Sequence, residues 1–411
     1  ICQSMGACFK VMGVAPVILI NVLDPNKHKK DMAETTVQVN SGVATVEQKD
    51  ILLDKLVVKS ASTTLTAGTD YTAAFDDDGY VTIAIIPGGK AASATSLTVS
   101  GVQIDPDAVT AADIVGGVNA KGVETGMEVI RQIYPALNMT PGILLAPGWS
   151  ENATVAAGLQ AKTGNINGVF RAVCIVDIDS SATGATTYTE VKQQKEKQAV
   201  TSPNCYPVWL YAKVGDVVYA GSAMAAALTV ATDAANGDIP YVSPSNKTLA
   251  ISAACLKDGT EVLLDQEQAN VVNSFGVATW LNMNGFRLWG NNTACYPGNT
   301  DPKDRWFSVR RFMSWDDNTF IQTYFQKVDD PLNKRLIEAL VDSENVRGNS
   351  FVSRGICARH EIQYIESENP TTSLLNGCIT FHKYLSPFNP AEDIEELVEF
   401  DPNAISDGLG G

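Results

Sequence analysis

Aliphatic and polar positions change period several times along this chain, and each change predicts a different kind of element. VAPVILINVLDP at 14–25 is a β-branched and aliphatic run closed by Asp-Pro, which predicts a buried strand at the centre of a sheet. From Thr35 to Asp105 the runs shorten to TVQV, LVVKS, YVTIAII and SLTVS, separated by DDDG at 76–79 and PGG at 87–89. That spacing predicts an all-β segment with DDDG as a hairpin turn. A helical period then returns over Thr125–Tyr134, followed by a strand at Gly142–Ala146 and a helix from Asn152. RAVCIVDI at 171–178, YPVWLYA and DVVYAG read as strands, and the Ala-rich run at 221–236 as a helix. Strands and helices in alternation predict a layered α/β sandwich. The all-β segment interrupts it, so its ends are expected close together on the host domain's surface.

The C-terminal third predicts a strand over Phe275–Met283, a long helix over Phe307–Asp330 and a second from Asn333 to Asp342 after Pro331. HEIQYIES, NGCITFHKYLSP and EDIEELVEFDP follow as strands. In the last, Ile394, Val398 and Phe400 share one face and Glu395 and Glu399 the other. Leu397 falls on the acidic face, so by pattern alone a short amphipathic helix or an edge strand of the same subunit fits equally well. The terminal SDGLGG reads as a frayed end. The fold class is therefore α/β and multi-domain. Residues 1–34 with 106–270 form a discontinuous α/β core, 35–105 an inserted all-β surface domain, 271–390 a C-terminal domain and 391–411 a strand arm.

Composition changes this picture little. With 411 residues, 45% hydrophobic and 18% charged, the chain describes ordinary folded domains. A formal charge of -16 argues against nucleic-acid binding through a broad basic surface. The 8 cysteines are scattered, with no CxxC pair, which argues against zinc and for reduced thiols suited to a cytoplasm. No apolar run approaches the roughly 18 residues of a membrane span, and no signal peptide is visible.

Catalytic constellations are missing from the sequence. It holds no G-x-S-x-G elbow, phosphate loop, H-E-x-x-H or dinucleotide fingerprint. His28, His360 and His382 are far apart, and the neighbouring carboxylates Asp316–Asp317 and Asp329–Asp330 read as helix and turn residues. DDDG lacks the ligand spacing of a calcium loop. No catalytic, cofactor-binding or metal residue is assigned.

LWGNNTACYP at 288–297, DPKD at 301–304, RRF at 310–312 and DDP at 329–331 form the most informative stretch. PGILLAPGWS at 141–150, PYVSPSNK at 240–247, RLIEALVDSEN at 335–345 and FHKYLSPFNPAEDIEELVEFDP at 381–402 extend it. In this order and spacing the chain resembles the contractile tail sheath proteins of bacteriophages and related injection particles. Trp289, Gly290, Asn291, Thr293, Arg310 and Arg311 carry the motif.

The resemblance implies a sheath core that works without catalysis. It implies copies packed in stacked hexameric rings around an inner tail tube protein, with baseplate and terminator partners, no nucleic acid and no membrane insertion. Such a particle is a virion tail or phage-tail-like particle assembled in the bacterial cytoplasm. Chain ends are expected to add strands to a neighbour's sheet, here through Ile394, Val398 and Phe400. Helix 339–347 and its surroundings are expected to face the tube with Glu338, Asp342, Glu344 and Arg347. Two features depart from the family. Only a short stretch precedes 14–25, where the family carries an arm, and Asn292 replaces an Arg common in the motif, leaving Arg287, Arg305, Arg310 or Arg311 to supply that charge. The alternative is a surface-binding protein, an adhesin or carbohydrate binder, acting through the β insertion; Tyr71, Phe75 and Tyr80 are its only aromatic residues.

Overall fold

The computed structural model describes residues 2–401, 404, 405 and 408. They separate into two compact units, one of residues 19–128 and one of residues 1–18 with 129–411. The chain starts with helix α1 (Cys2–Gly6), running into a π-helical turn over Ala7–Met12 that ends at Gly13 with φ 64°.

In unit 19–128, short β-branched runs pair into two antiparallel sheets. Strands β1 (Lys29–Gln38), β2 (Val43–Val46), β3 (Val57–Ser60), β4 (Thr63–Thr64), β5 (Tyr71–Phe75), β6 (Val81–Ile85) and β7 (Ser96–Ile104) are ordered β1-β7-β3-β4 and β2-β6-β5. Alternate residues point inward, so Met32, Val58, Leu97 and Val99 of one sheet share a core with Ala44, Val46, Val81 and Ile83 of the other. DDDG is a hairpin turn, as its composition predicts, with the Asp76 carboxylate accepting from the Asp78 and Tyr80 amides. Helix α2 (Ala111–Val115) and the hairpin of β8 (Gly117–Val118) and β9 (Glu124–Thr125) complete the unit.

The larger unit continues with α3 (Ile133–Leu137), β10 (Ile143–Leu144), α4 (Ala153–Lys162), β11 (Val173–Ile178), α5 (Val191–Lys197) and β12 (Cys205–Trp209). Asn152 starts α4 by accepting from the Thr154 and Val155 amides. Strands β10, β11 and β12 are parallel, and every residue of β11 and β12 is buried, as continuous apolar runs in parallel sheets usually are. Strands β13 (Tyr211–Val214), β14 (Val217–Tyr219) and β15 (Ala253–Cys255) form a second sheet. Helix α6 (Gly221–Ala235) packs on β11 and β12, its alanines allowing the close approach.

Beyond α7 (Gln266–Ser274), the hairpin of β16 (Thr279–Asn282) and β17 (Phe286–Trp289) joins the edge of β12 through Trp209 and Ala278. Helices α8 (Pro302–Arg305), α9 (Phe307–Tyr324) and α10 (Lys334–Ser353) follow. The hairpin of β18 (Cys357–Gln363) and β19 (His382–Pro387), with α11 (Thr371–Leu375) between its strands, follows these helices. Helix and strand are thus mixed in sheets of two to four strands, and none of the described sheets closes into a barrel.

Three expected elements are absent. Residues 14–24 form no strand, and Val17 and Leu19 are exposed; the aliphatic run has β propensity, but Pro16 lacks a donor and no described strand lies alongside to pair with it. In place of a helix over 125–134, a 3₁₀ stretch spans Gly126–Gln132 and α3 begins only at Ile133. Residues 391–401 carry no strand within this subunit. The SDGLGG end lies outside the described residues apart from Gly408.

Candidate functional site

The motif residues form a weld. Gly290 has φ 143°, its N–H donates to Ser245 Oγ at 3.0 Å, its carbonyl accepts from the Tyr206 hydroxyl at 2.6 Å, and a Cβ there would lie 2.9 Å from the Ala278 Cα. Only glycine tolerates both that φ and that approach. Trp289 Nε1 donates to Asn270 at 2.8 Å, and Asn291 accepts from the Ser243 hydroxyl at 2.6 Å. Thr293, fully buried, donates to the Asp304 carbonyl at 2.6 Å. On α9, Arg310 reaches Asn204 at 2.6 Å, and Arg311 grips both oxygens of Asp233 on α6 at 3.0 and 2.5 Å. Lys195 of α5 donates to the carbonyls of Phe275, Ala294 and Tyr296 at 2.6, 2.7 and 3.0 Å. Burial pushes its pKa down to about 8.

At the C-terminal end of β11, where open α/β sheets tend to bind ligands, protein groups fill the space. Asp177 is buried, accepts from the Ser222 amide at 2.7 Å and from the Ser222 and Ser150 hydroxyls at 2.6 and 3.0 Å, and so caps α6. Burial pushes its carboxyl up despite these donors. Glu151, also raised by burial, accepts from Tyr211 at 2.7 Å and pairs with Lys257.

A second cluster lies between α9, α10 and the β18–β19 hairpin. Asp316 accepts from His360 Nε2 at 2.9 Å and pairs with Arg347 and Lys383, both at 2.7 Å. Glu344 pairs with Arg347 at 2.5 Å and Lys383 at 2.9 Å. Burial alone would raise both carboxyls, but the His360 hydrogen bond and the Lys383 and Arg347 charges hold Asp316 well below the usual range, and Arg347 and Lys383 hold Glu344 down. Asp316, Glu344 and His360 bring ligand atoms within 4.8 Å of one another, a donor set fit for a metal ion. Two protein cations already supply the positive charge there.

This cluster changes the reading of the α10 charges. Glu338 and Asp342 are exposed, but the Glu344 side chain is fully buried and Arg347 turns inward to pair with it. Those two charges therefore do not lie on a solvent-facing strip with Glu338 and Asp342. The sequence carried one signal, Gly348 in mid-helix. A Cβ at Gly348 would lie 2.3 Å from His360 Nδ1 and 2.4 Å from the His360 carbonyl, so glycine lets α10 close on β18. Asn345 of α10 completes that closure, donating to the Ile362 carbonyl at 3.0 Å and accepting its N–H at 2.8 Å. The outer edge of β18 is thereby covered, whereas among the described residues no strand pairs with the outer edge of β19.

The candidate arm residues are elsewhere. Ile394, Leu397, Val398 and Phe400 are 87%, 96%, 82% and 75% exposed, on a segment without secondary structure. Of the arginines near Asn292 in sequence, Arg305 reaches it: its Nε donates to Asn292 Oδ1 at 2.7 Å and its Nη2 to Glu392 at 2.5 Å.

No protein-family model matches the chain. The tail sheath protein of Burkholderia phage BcepMu is 29% identical over 405 residues, covering 94% of this chain and 81% of that protein. A putative prophage major tail sheath protein of Pseudomonas aeruginosa (strain UCBPP-PA14) is 25% identical, covering 82% and 84%. The tail sheath protein of Escherichia phage P2 is 25% identical over 70% of each chain. Among solved structures, the sheath complex of the extracellular contractile injection system PVC, in its contracted state, superposes with a TM-score of 0.54 at 18% identity, covering 68% of this chain and 76% of that one. The contracted helical sheath of the anti-feeding prophage gives 0.51 at 15% identity, covering 66% and 74%. The fold is that of sheath subunits, and the relatives similar in sequence are named as tail sheath proteins. Over most of its length the chain is similar to contractile tail sheath proteins.

Proposed function

We propose that this protein is the repeating subunit of a contractile tail sheath, polymerising in stacked hexameric rings around an inner tube and acting without catalysis. The assembled sheath switches from an extended to a contracted lattice and drives the tube through a cell envelope, with energy held in the metastable assembly. Baseplate and terminator proteins cap it, and the particle is a virion tail or phage-tail-like body assembled in the bacterial cytoplasm. Residues 1–34 with 106–270 act as the layered α/β sheath domain, 35–105 as an outward decoration, 271–390 as the C-terminal domain and 391–411 as the linking arm.

One observation carries the reading. A terminal segment exposes four large apolar side chains, in a subunit whose β18–β19 hairpin has one unpaired edge. Ile394, Val398 and Phe400 are the residues of the donated strand, and β19 of another copy is the edge that takes it. Backbone pairing of this kind ties subunits while letting them rotate. Glu338 and Asp342 are the tube-facing charges that the fold leaves available.

Negative-stain electron microscopy of the purified protein, with and without its tube partner, tests this. Hollow, regularly striated rods are expected; a monomer persisting under both conditions sinks self-assembly.

A further inference from the structure

We propose that Arg305 is a preformed carboxylate socket that clips the root of the C-terminal arm to its own subunit through Glu392. The proposal rests on the reading of residues 391–411 as an arm donated to another copy.

The socket is built before the carboxylate arrives. The Arg305 guanidinium carbon lies 4.4 Å from the centre of the Tyr296 ring and 3.9 Å from that of Trp306. Its Nε is fixed by Asn292 Oδ1 at 2.7 Å, and Asn292 is itself buried, its amide reaching the Asn273 carbonyl at 3.4 Å. A planar cation held on two aromatic rings and along one edge has little rotamer freedom left to lose. Glu392 Oε2 takes Nη2 at 2.5 Å. The pair is partly open to solvent, with side chains 21% and 38% exposed, so salt can weaken it.

Placement gives the clip its effect. Upstream, the β19 pairing holds the chain through Pro387, and Glu392 is tied to Arg305. Beyond Glu392, Ile394, Leu397 and Val398 are exposed. Closing the clip starts the free arm at Asp393 and aims it from one point; opening it moves that start back to Phe388. The clip thus sets the reach of the arm, and a lattice change that pulls the arm taut loads this ion pair first.

Limited chymotrypsin digestion of the unassembled full-length protein measures this with an internal reference. Phe388 is followed by Asn-Pro, inside the clipped span, and Phe400 by Asp-Pro, outside it. Arg305→Lys and Glu392→Gln should each raise cleavage at Phe388 relative to Phe400 by about twofold to fivefold, the upper part of the range of a partly exposed, geometrically fixed pair. The double variant should show no further gain, and high salt should accelerate the unmodified protein in the same way. An unchanged Phe388 to Phe400 ratio in Glu392→Gln, or fully additive effects in the double variant, overturns the clip. Rod formation by the unmodified protein is scored separately. Rods with an unchanged ratio remove the clip alone, whereas a raised ratio without rods removes the arm reading and leaves the clip standing.

Discussion

Two acidic regions of this subunit have opposite surroundings. Asp316 and Glu344 are buried, and each meets Arg347 and Lys383 within 3 Å. The segment beyond Glu392 carries Asp393, Glu395, Glu396 and Glu399 beside exposed Ile394, Leu397, Val398 and Phe400. The first region is complete within one chain, because helices and a hairpin from distant parts of the sequence bring its counter-charges. The second leaves apolar area in water that a second copy can cover. On the proposed function, stability resides in the one and assembly in the other.

Separating them experimentally gives the largest effect. Deleting residues 391–411 is expected to abolish rods while shifting the unfolding free energy by less than about 1 kcal/mol, because exposed side chains contribute little to the fold; microscopy and denaturant titration of the same sample read both.

Lys383→Ala should do the reverse, costing about 3–5 kcal/mol in denaturant titration by leaving two buried carboxylates short of a partner.

The acid limb of stability follows from the same cluster. Asp316 and Glu344 have folded pKa values below their unfolded ones, so their contribution is complete above the ordinary carboxylate range, about 4, and drains as pH falls through the lowered folded values. Asp316→Asn should flatten that loss in acid melts, and a slope equal to that of the unmodified protein would contradict the assignment.

Lys195 gives a smaller alkaline signature. Its folded pKa of about 8 lies under the unfolded value near 10.5, so between them the unfolded chain binds more protons and stability climbs with pH. The climb should vanish in Lys195→Met.

The smallest effect is expected from Glu338→Gln with Asp342→Asn. The melt should not move, and co-sedimentation with tube protein should weaken by several fold, most clearly at low salt.

Local signals were legible in the sequence where they are sufficient. Asn152 announced the start of α4, the Ala-rich run announced α6, and the apolar RAVCIVDI run announced β11. What failed depended on partners. The 14–25 run has strand composition, yet a strand needs a neighbour, and none of the described strands is there. Glu344 and Arg347 looked like an ordinary solvated face because their partners Asp316, His360 and Lys383 come from other elements. Asn292 left Arg287, Arg305, Arg310 and Arg311 open as neighbours, and only the folded loop puts Arg305 against it.

The central claim, that residues 394–400 of one copy complete the β18–β19 sheet of another, is tested most directly by cryo-electron microscopy of assembled rods with the backbone traced around β19. An added strand is expected on the open edge of β19, carrying Ile394, Val398 and Phe400 and arriving from a neighbouring subunit. An empty β19 edge in well-ordered rods, or a strand there contributed by the same chain, would contradict it.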